Sequence, residues 1–452
     1  MGKSAFLSWF TDKLPQLAQR GEGAHPVPSR KIKRALSLCQ TLLSERGEAA
    51  GAKLARDLHV VYQTLGNEET DRFFDHLATE FSPDPDAVMA AAEAYRADPS
   101  PANLQALQDA VEPPRQELCL RMNIIPGGTS GLVGMRKRVL RGLPTHPNWQ
   151  PLESDLSHLL RSWFNRGFLD MRRIDWRTSA LVLEKLIEYE AVHQIQGWRD
   201  LRRRLEADRR CYAYFHPALP DEPIIFIEVA LAPELSSKVQ PLLGLDSAVS
   251  DPNRADHAIF YSITNCQEGL RGISFGHFLI KQVAEDLGRE FPRLRHFATL
   301  SPIPGFRSWL QSHAGMEENK GNEALQAVMR ALARPDWFSQ PEAEKLRTPL
   351  MQLCAHYLLH AKSRSAPTEP LDPVARFHLG NGAQLGQINW LSDTSPAGMQ
   401  RSCGLMVNYI YKLADIERNH EAYTKEHRII AASRIEDMAK DSLAGKGVTA
   451  GR

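Results

Sequence analysis

The sequence predicts an α+β protein in which an all-helical N-terminal domain, residues 1–160, precedes a mixed α/β domain, residues 161–445. Three observations lead there. From Lys31 to about Leu107, apolar residues recur at helical spacing and no segment reads as a strand. From Cys211 onward, short β-branched and aromatic runs appear. Between His257 and Phe306, a strand, a glycine-spaced loop, a helix and a second strand follow one another, and a short helical crossover of this kind joins parallel neighbours.

Ile32, Leu36 and Leu38 open the first helical pattern, and Leu54, Leu58, Val61 and Leu65 carry the second. Phe73, Phe74, Leu77 and Phe81 mark a third, halted by Ser82-Pro83-Asp84-Pro85, and Val88 to Tyr95 form a fourth before Asp98-Pro99-Ser100-Pro101. No fixed period repeats, which argues against a solenoid. Helical patterns continue through Leu152 to Phe164, Thr178 to Val192 and Trp198 to Leu205. Strands are then expected at Cys211 to Phe215, Pro223 to Leu231 and His257 to Ile263. His277 to Glu290 places Phe278, Leu279, Val283 and Leu287 on one face of a helix, and Arg295 to Leu300 forms the next strand. Ala375 to Leu379 and Gln387 to Leu391 bracket Gly380-Asn381-Gly382-Ala383, and helices are expected to close the chain from Gly404 to about Leu443.

At 452 residues the chain is long enough for two domains with full cores. Lys plus Arg is 55 against 54 for Asp plus Glu, so no global field attracts nucleic acid or an anionic membrane, and the expected partner is small or protein. Six cysteines lie far apart without a C-x-x-C pair, which argues against a zinc site and a secreted disulfide framework. No apolar run approaches the ~20 residues of a membrane span. The N-terminal segment lacks a signal-peptide core, and Ala450-Gly451-Arg452 is not a peroxisomal address, so the expected compartment is the cytosol.

The loop Arg271-Gly272-Ile273-Ser274-Phe275-Gly276, followed by His277, sits where a helix begins. Unpaired N–H groups and the helix dipole favour phosphate oxygens there, and glycine lets backbone approach them. It follows the acyl-CoA acetyltransferase pattern, with Ser274 in place of the first required Gly. Ser301 ends the second strand, at the carboxyl edge where open α/β sheets bind ligands, and Pro302 and Pro304 stiffen the segment. Imidazole suits proton transfer near neutral pH, but pattern alone does not select His378 over His257, His277 or His296 among 16 histidines. The strand-to-helix serine elbow of hydrolases is absent, since Ser301 precedes proline. The clusters Arg136-Lys137-Arg138, Arg202-Arg203-Arg204 and Arg209-Arg210 read as solvated helix faces.

Several blocks in order resemble malonyl-CoA decarboxylase: Leu300 to Phe306, Phe377 to Ala383, Ile388-Asn389-Trp390, Ser402 to Tyr409, and Trp163 to Leu169. The resemblance runs from about Asn123 to Lys440. It implies a helical oligomerisation domain joined to a catalytic domain of the GNAT acetyltransferase fold. It also implies conversion of malonyl-CoA to acetyl-CoA and CO₂ without a metal or organic cofactor, the CoA moiety belonging to the substrate. By the same resemblance Ser301 and His378 correspond to the catalytic pair, and Arg271 to His277 to the loop holding the CoA diphosphate. A homo-oligomer is expected, with a tetramer as the preferred state. Two rival readings are a GNAT-type acyl-CoA-dependent acyltransferase and a non-catalytic CoA-binding scaffold.

Overall fold

The computed structural model describes residues 29–45, 47–273, 279–363 and 366–444, with the side chain of Arg166 not described. They fall into two compact units. One comprises the described part of Met1–Leu169 with His216–Pro220 and Gln267–Phe275; the other comprises that of Asp170–Phe215, Asp221–Cys266 and Gly276–Arg452. Among the described residues no helix is long and apolar enough to cross a membrane, and all six cysteines are free and buried.

The first unit is built from α1 (Arg30–Ser44), α2 (Glu48–Gln63), α3 (Asn67–Thr79), α4 (Pro85–Ala97), α5 (Pro101–Val111), α6 (Pro114–Asn123), α7 (Gly128–Gly142) and α8 (Gln150–Trp163). The prolines that punctuate the sequence start helices here. Pro85 and Pro101 occupy the first turn, where their missing N–H costs nothing, behind Asp84 and Ser100, whose side chains accept from Asp86 N and Asn103 N. Phe73, Phe74, Leu77, Trp149 and Leu156 share one core, with Phe74 edge-on to Trp149 at 5.2 Å between ring centroids. Helices α4 and α5 are the exception, because neither contains a buried residue.

The second unit is a mixed sheet of eight strands, β1 (Asp170–Ile174), β2 (Arg209–Phe215), β3 (Ile225–Ala232), β4 (His257–Asn265), β5 (His296–Thr299), β6 (Ser301–Pro302), β7 (Gln384–Asn389) and β8 (Met406–Ile410). The strand order is β1-β2-β3-β4-β5-β8-β6, with β7 also on β8. β1 to β4 are antiparallel, β4 and β5 are parallel, and α9 (Leu279–Glu290) lies between those two in the chain, as the crossover argument requires. β2 and β3 are buried along their whole length, mostly by apolar and aromatic residues, with Arg209, Arg210 and Glu228 as the charged exceptions.

Two expectations change. The segment from Gly404 does not open with a helix. Met406–Ile410 is a strand pairing with β5, β6 and β7, and α10 (Ile416–Glu426) and α11 (Ser433–Lys440) come only afterwards. The basic clusters are also largely buried and paired. Arg203 meets Asp208 at 2.8 Å, Arg204 meets Glu228 at 2.7 Å and Asp200 at 2.9 Å, and Arg210 meets Glu290 at 2.6 Å. Arg136 is 3% exposed and holds Glu153 at 2.8 Å. A buried guanidinium without such partners would cost several kcal/mol.

Candidate active site

Thr299 and Ser301 are two residues apart on an extended chain, so their side chains share a side, and the Ser301 hydroxyl donates to Thr299 Oγ1 at 2.8 Å. Antiparallel pairing of Ser301 with Val407 and Pro302 with Met406 fixes that segment against β8. His378 comes from the last turn of the helix Pro373–Gly380, whose first turn is set by Pro373 and by Asp372, which accepts from Ala375 N at 2.8 Å. The helix delivers His378 Nε2 to 3.0 Å from Ser301 Oγ. On its other side, Nδ1 lies 2.8 Å from the Tyr411 hydroxyl, and the ring stacks on Tyr409 with centroids 4.5 Å apart.

Since the serine proton is spent on Thr299, its oxygen is satisfied when His378 donates from Nε2, and Nδ1 then accepts from Tyr411. One proton arrangement thus serves the whole chain of hydrogen bonds. Ser301, His378, Tyr409 and Tyr411 are each 5% exposed or less. Beneath them Tyr409 N donates to Thr299 Oγ1 at 3.1 Å, and Asn408 Nδ2 donates to the Thr299 carbonyl at 2.6 Å while its Oδ1 accepts from Asn389 at 2.7 Å. This second layer holds Thr299, and through it Ser301, in place. A buried hydroxyl pair with a neutral imidazole, backed by a phenol, can orient a carboxylate and move a proton.

Comparison with known proteins decides what this arrangement belongs to. Residues 167–448 match the family profile "Malonyl-CoA decarboxylase C-terminal domain" and residues 81–164 the corresponding N-terminal domain. The chain belongs to the malonyl-CoA decarboxylase family. It is 36% identical to "Malonyl-CoA decarboxylase, mitochondrial" of Rattus norvegicus over 355 residues, 73% of this chain and 72% of that one. The same identity to the protein of Anser anser anser extends over 337 residues, 69% of this chain and 66% of that one. The solved malonyl-CoA decarboxylase of Rhodopseudomonas palustris is 47% identical with a TM-score of 0.86, and that of Agrobacterium vitis is 44% identical with a TM-score of 0.84. Each covers 90% of this chain and 99% of its own. Malonyl-CoA decarboxylase activity, a carboxy-lyase reaction, comes with that membership.

Of the remaining predicted site residues, Arg271, Gly272 and Ile273 lie in the helical unit. Gly272 has φ of +79° and no atom of the described residues within 4 Å of the position of a Cβ, so this is a backbone conformation that suits glycine. Arg136 Nη2 donates to the Arg271 carbonyl at 3.0 Å and Nη1 to the Gly269 carbonyl at 2.7 Å, and Ile273 N donates to Leu270 O. Ser274, Phe275, Gly276 and His277 lie outside the described residues. Thr299, Tyr409, Tyr411 and Asn408 were not singled out from sequence for a role. The only available signal was the two-residue spacing of Thr299 from Ser301 and of Tyr409 from Tyr411.

Burial depresses the His378 pKa to about 3, so the ring is neutral throughout the physiological range. A histidine depressed in the folded state takes up protons on unfolding. Its contribution is pH-independent above the unfolded value of about 6.5 and becomes increasingly unfavourable as pH falls towards the folded value. The slope is about 1.4 kcal/mol per pH unit. His378→Asn removes it, so between pH 6.5 and 5 the wild type should lose about 2 kcal/mol more than the variant in parallel urea titrations. Equal losses would mean that the imidazole is not held neutral.

Proposed function

We propose that the chain converts malonyl-CoA to acetyl-CoA and CO₂, with Ser301 orienting the malonyl carboxylate and His378 delivering the proton to carbon. The 3.0 Å contact between two buried side chains 77 residues apart is the observation that carries this reading. Loss of CO₂ returns the C–C bonding pair to the thioester as an enolate, so the site must stabilise charge moving from carboxylate to thioester oxygen and then protonate carbon. The Ser301 proton, resting on Thr299, turns to the carboxylate when the acyl group arrives and keeps the breaking bond aligned with the carbonyl π system. The neutral imidazole then gives its Nε2 proton to the α-carbon. Tyr411 supplies a proton to Nδ1, and water restores the phenol after product has formed.

The diphosphate of CoA is assigned to Arg271, Gly272, Ile273, Ser274, Phe275, Gly276 and His277. The positive-φ backbone at Gly272 and the helix that follows support that assignment. No cofactor beyond the CoA moiety of the substrate enters the scheme. Tyr411→Phe keeps the ring but removes the proton source for Nδ1, so kcat should fall by about 10-fold, less than for loss of the imidazole, with KM little changed. An unaltered kcat would detach Tyr411 from the proton path.

The helical unit is proposed to assemble the chain into a homo-oligomer, with a tetramer as the preferred state. Helices α4 and α5 contain no fully buried residue, and Met89, Leu104 and Val111 are 60%, 40% and 47% exposed. Light scattering on the purified protein should give the mass of four chains, and a monomer would refute the assembly.

The decisive assay is incubation with malonyl-CoA labelled in its free carboxyl group. Labelled CO₂ and acetyl-CoA are expected in equal amounts. Acyl transfer to an added amine without CO₂ release would make the chain an acyltransferase. Tight CoA binding without turnover would make it a scaffold.

A further inference from the structure

At the other end of the parallel strand pair, Asp256, His257 and His296 converge. His257 opens β4 and His296 opens β5, and the two are direct partners in the parallel register. Their rings lie 4.5 Å apart, inclined by 25°. Asp256 Oδ2 is 3.8 Å from His257 Nδ1 and 3.6 Å from His296 Nε2, and one ligand atom from each residue lies within 4.8 Å of the other two. The main chain ties the three together. Asp256 O accepts from Arg295 N at 3.1 Å and from His296 N at 3.2 Å, while Asp256 N donates to Ala232 O.

We propose that Asp256, His257 and His296 form a binding site for one divalent d-block cation of the zinc or nickel type. The donor set is two imidazoles and a carboxylate, which suits these ions and not Mg²⁺ or Ca²⁺. Bonds of about 2.0–2.1 Å at tetrahedral angles put neighbouring ligand atoms about 3.3 Å apart, so the two measured separations from the carboxylate need to close by only a few tenths of an ångström. His257 Nδ1 is buried and makes no hydrogen bond, whereas the Pro233 carbonyl serves the same ring as a backbone hydrogen-bond acceptor. That is the outer contact that metal-binding histidines use to fix their tautomer, and it leaves Nδ1 with its lone pair free. The partly exposed side of the cluster, where the Asp256 and His296 side chains are 42% and 57% accessible, provides the entry path and room for a water as fourth ligand.

The ion takes no part in decarboxylation. His296 and Ser301 stand five residues apart along β5 and its continuation, roughly 16 Å of extended chain. Its role is to clamp the start of β5 to the start of β4.

The test is isothermal titration of the untagged full-length chain with Zn²⁺, with Mg²⁺ as comparison. Wild type should bind one Zn²⁺ per chain, gain thermal stability on doing so, and ignore Mg²⁺. His296→Ala and Asp256→Asn, both at accessible side chains, should each weaken binding by at least about 10-fold, the size of effect that even an outer-contact replacement produces. Turnover of malonyl-CoA by His296→Ala should remain at the wild-type level. His356→Ala, in a separate cluster with His313 and His360, should leave Zn²⁺ binding unaltered. No binding at millimolar Zn²⁺, binding that survives both substitutions at the proposed site, or binding lost with His356 would each overturn the proposal.

Discussion

Ser301→Ala and His378→Asn are each expected to lower kcat by about 10²–10⁴-fold while leaving CoA affinity nearly intact, the range for losing a positioned proton donor or a charge-stabilising group. The two losses should not add. Each side chain is the other's hydrogen-bond partner at 3.0 Å, so removing one already disables the other, and the double variant should resemble the worse single one. Asparagine suits the histidine position because a polar amide can still face Ser301 and Tyr411, which separates loss of proton transfer from loss of packing. Steady-state kinetics with a parallel CoA-binding titration is the measurement. Near-normal turnover in either variant would remove that residue from the chemistry, and fully multiplicative losses would show that the pair does not act as a unit.

The second large effect is expected at the turn behind His378. Gly382 has φ of +81°, and a Cβ there would lie 2.2 Å from the Ile416 carbonyl oxygen. Left-handed backbone costs a non-glycine residue about 1–2 kcal/mol, and forced overlap typically adds about 1–3 kcal/mol. Gly382→Ala should therefore destabilise by about 2–5 kcal/mol, each kcal/mol lowering the thermal midpoint by about 2–4 °C. Activity should fall as well, because Asn381 N and Ala383 N both hydrogen-bond to the His378 carbonyl and Asn419 holds the Gly382 carbonyl at 3.2 Å. Gly321→Ala is the control, since no atom lies within 4 Å of its Cβ position. If Gly382→Ala matched that control in midpoint and turnover, the turn would have no part in placing the imidazole.

Much of this architecture could be read from residue patterns. The strand, crossover helix and strand from His257 to Thr299 announced themselves by period and by glycine. Helices α1 to α4 and α8 did so by their apolar spacing and proline punctuation, whereas α6 and α7 were not read. Met406–Ile410 could not be read in this way. Four of its five residues are buried, Asn408 among them, so neither alternation nor helical period marks it. Asn408 is polar where an interior strand should be apolar, because its amide spans the Thr299 and Ser236 carbonyls. The arginine clusters misled for a related reason. Charge predicts exposure only when no carboxylate waits nearby, and Glu228 and Glu290 are remote in sequence from Arg204 and Arg210. Ser301 had a local argument in its place at the carboxyl end of a strand, but His378 and the pairing of the two came from resemblance to a family, and their approach to 3.0 Å is a property of the fold alone. The Asp256, His257 and His296 cluster was equally silent, since parallel register across a crossover creates it.

Strand β8 hydrogen-bonds to β5, β6 and β7, yet it follows all three in the chain and is made after them. A nascent chain ending before Met406 would hold Ser301 and His378 without the strand that seats one and the two tyrosines that flank the other. Such distant pairings close slowly, because loop entropy is lost before contacts repay it, and the unfilled slot beside β5 presents unpaired N–H and C=O groups in the meantime. Newly made chains are therefore most vulnerable to edge-to-edge association in the interval after β7 has emerged and before β8 joins it, and the Ser301–His378 pair is completed only when β8 docks.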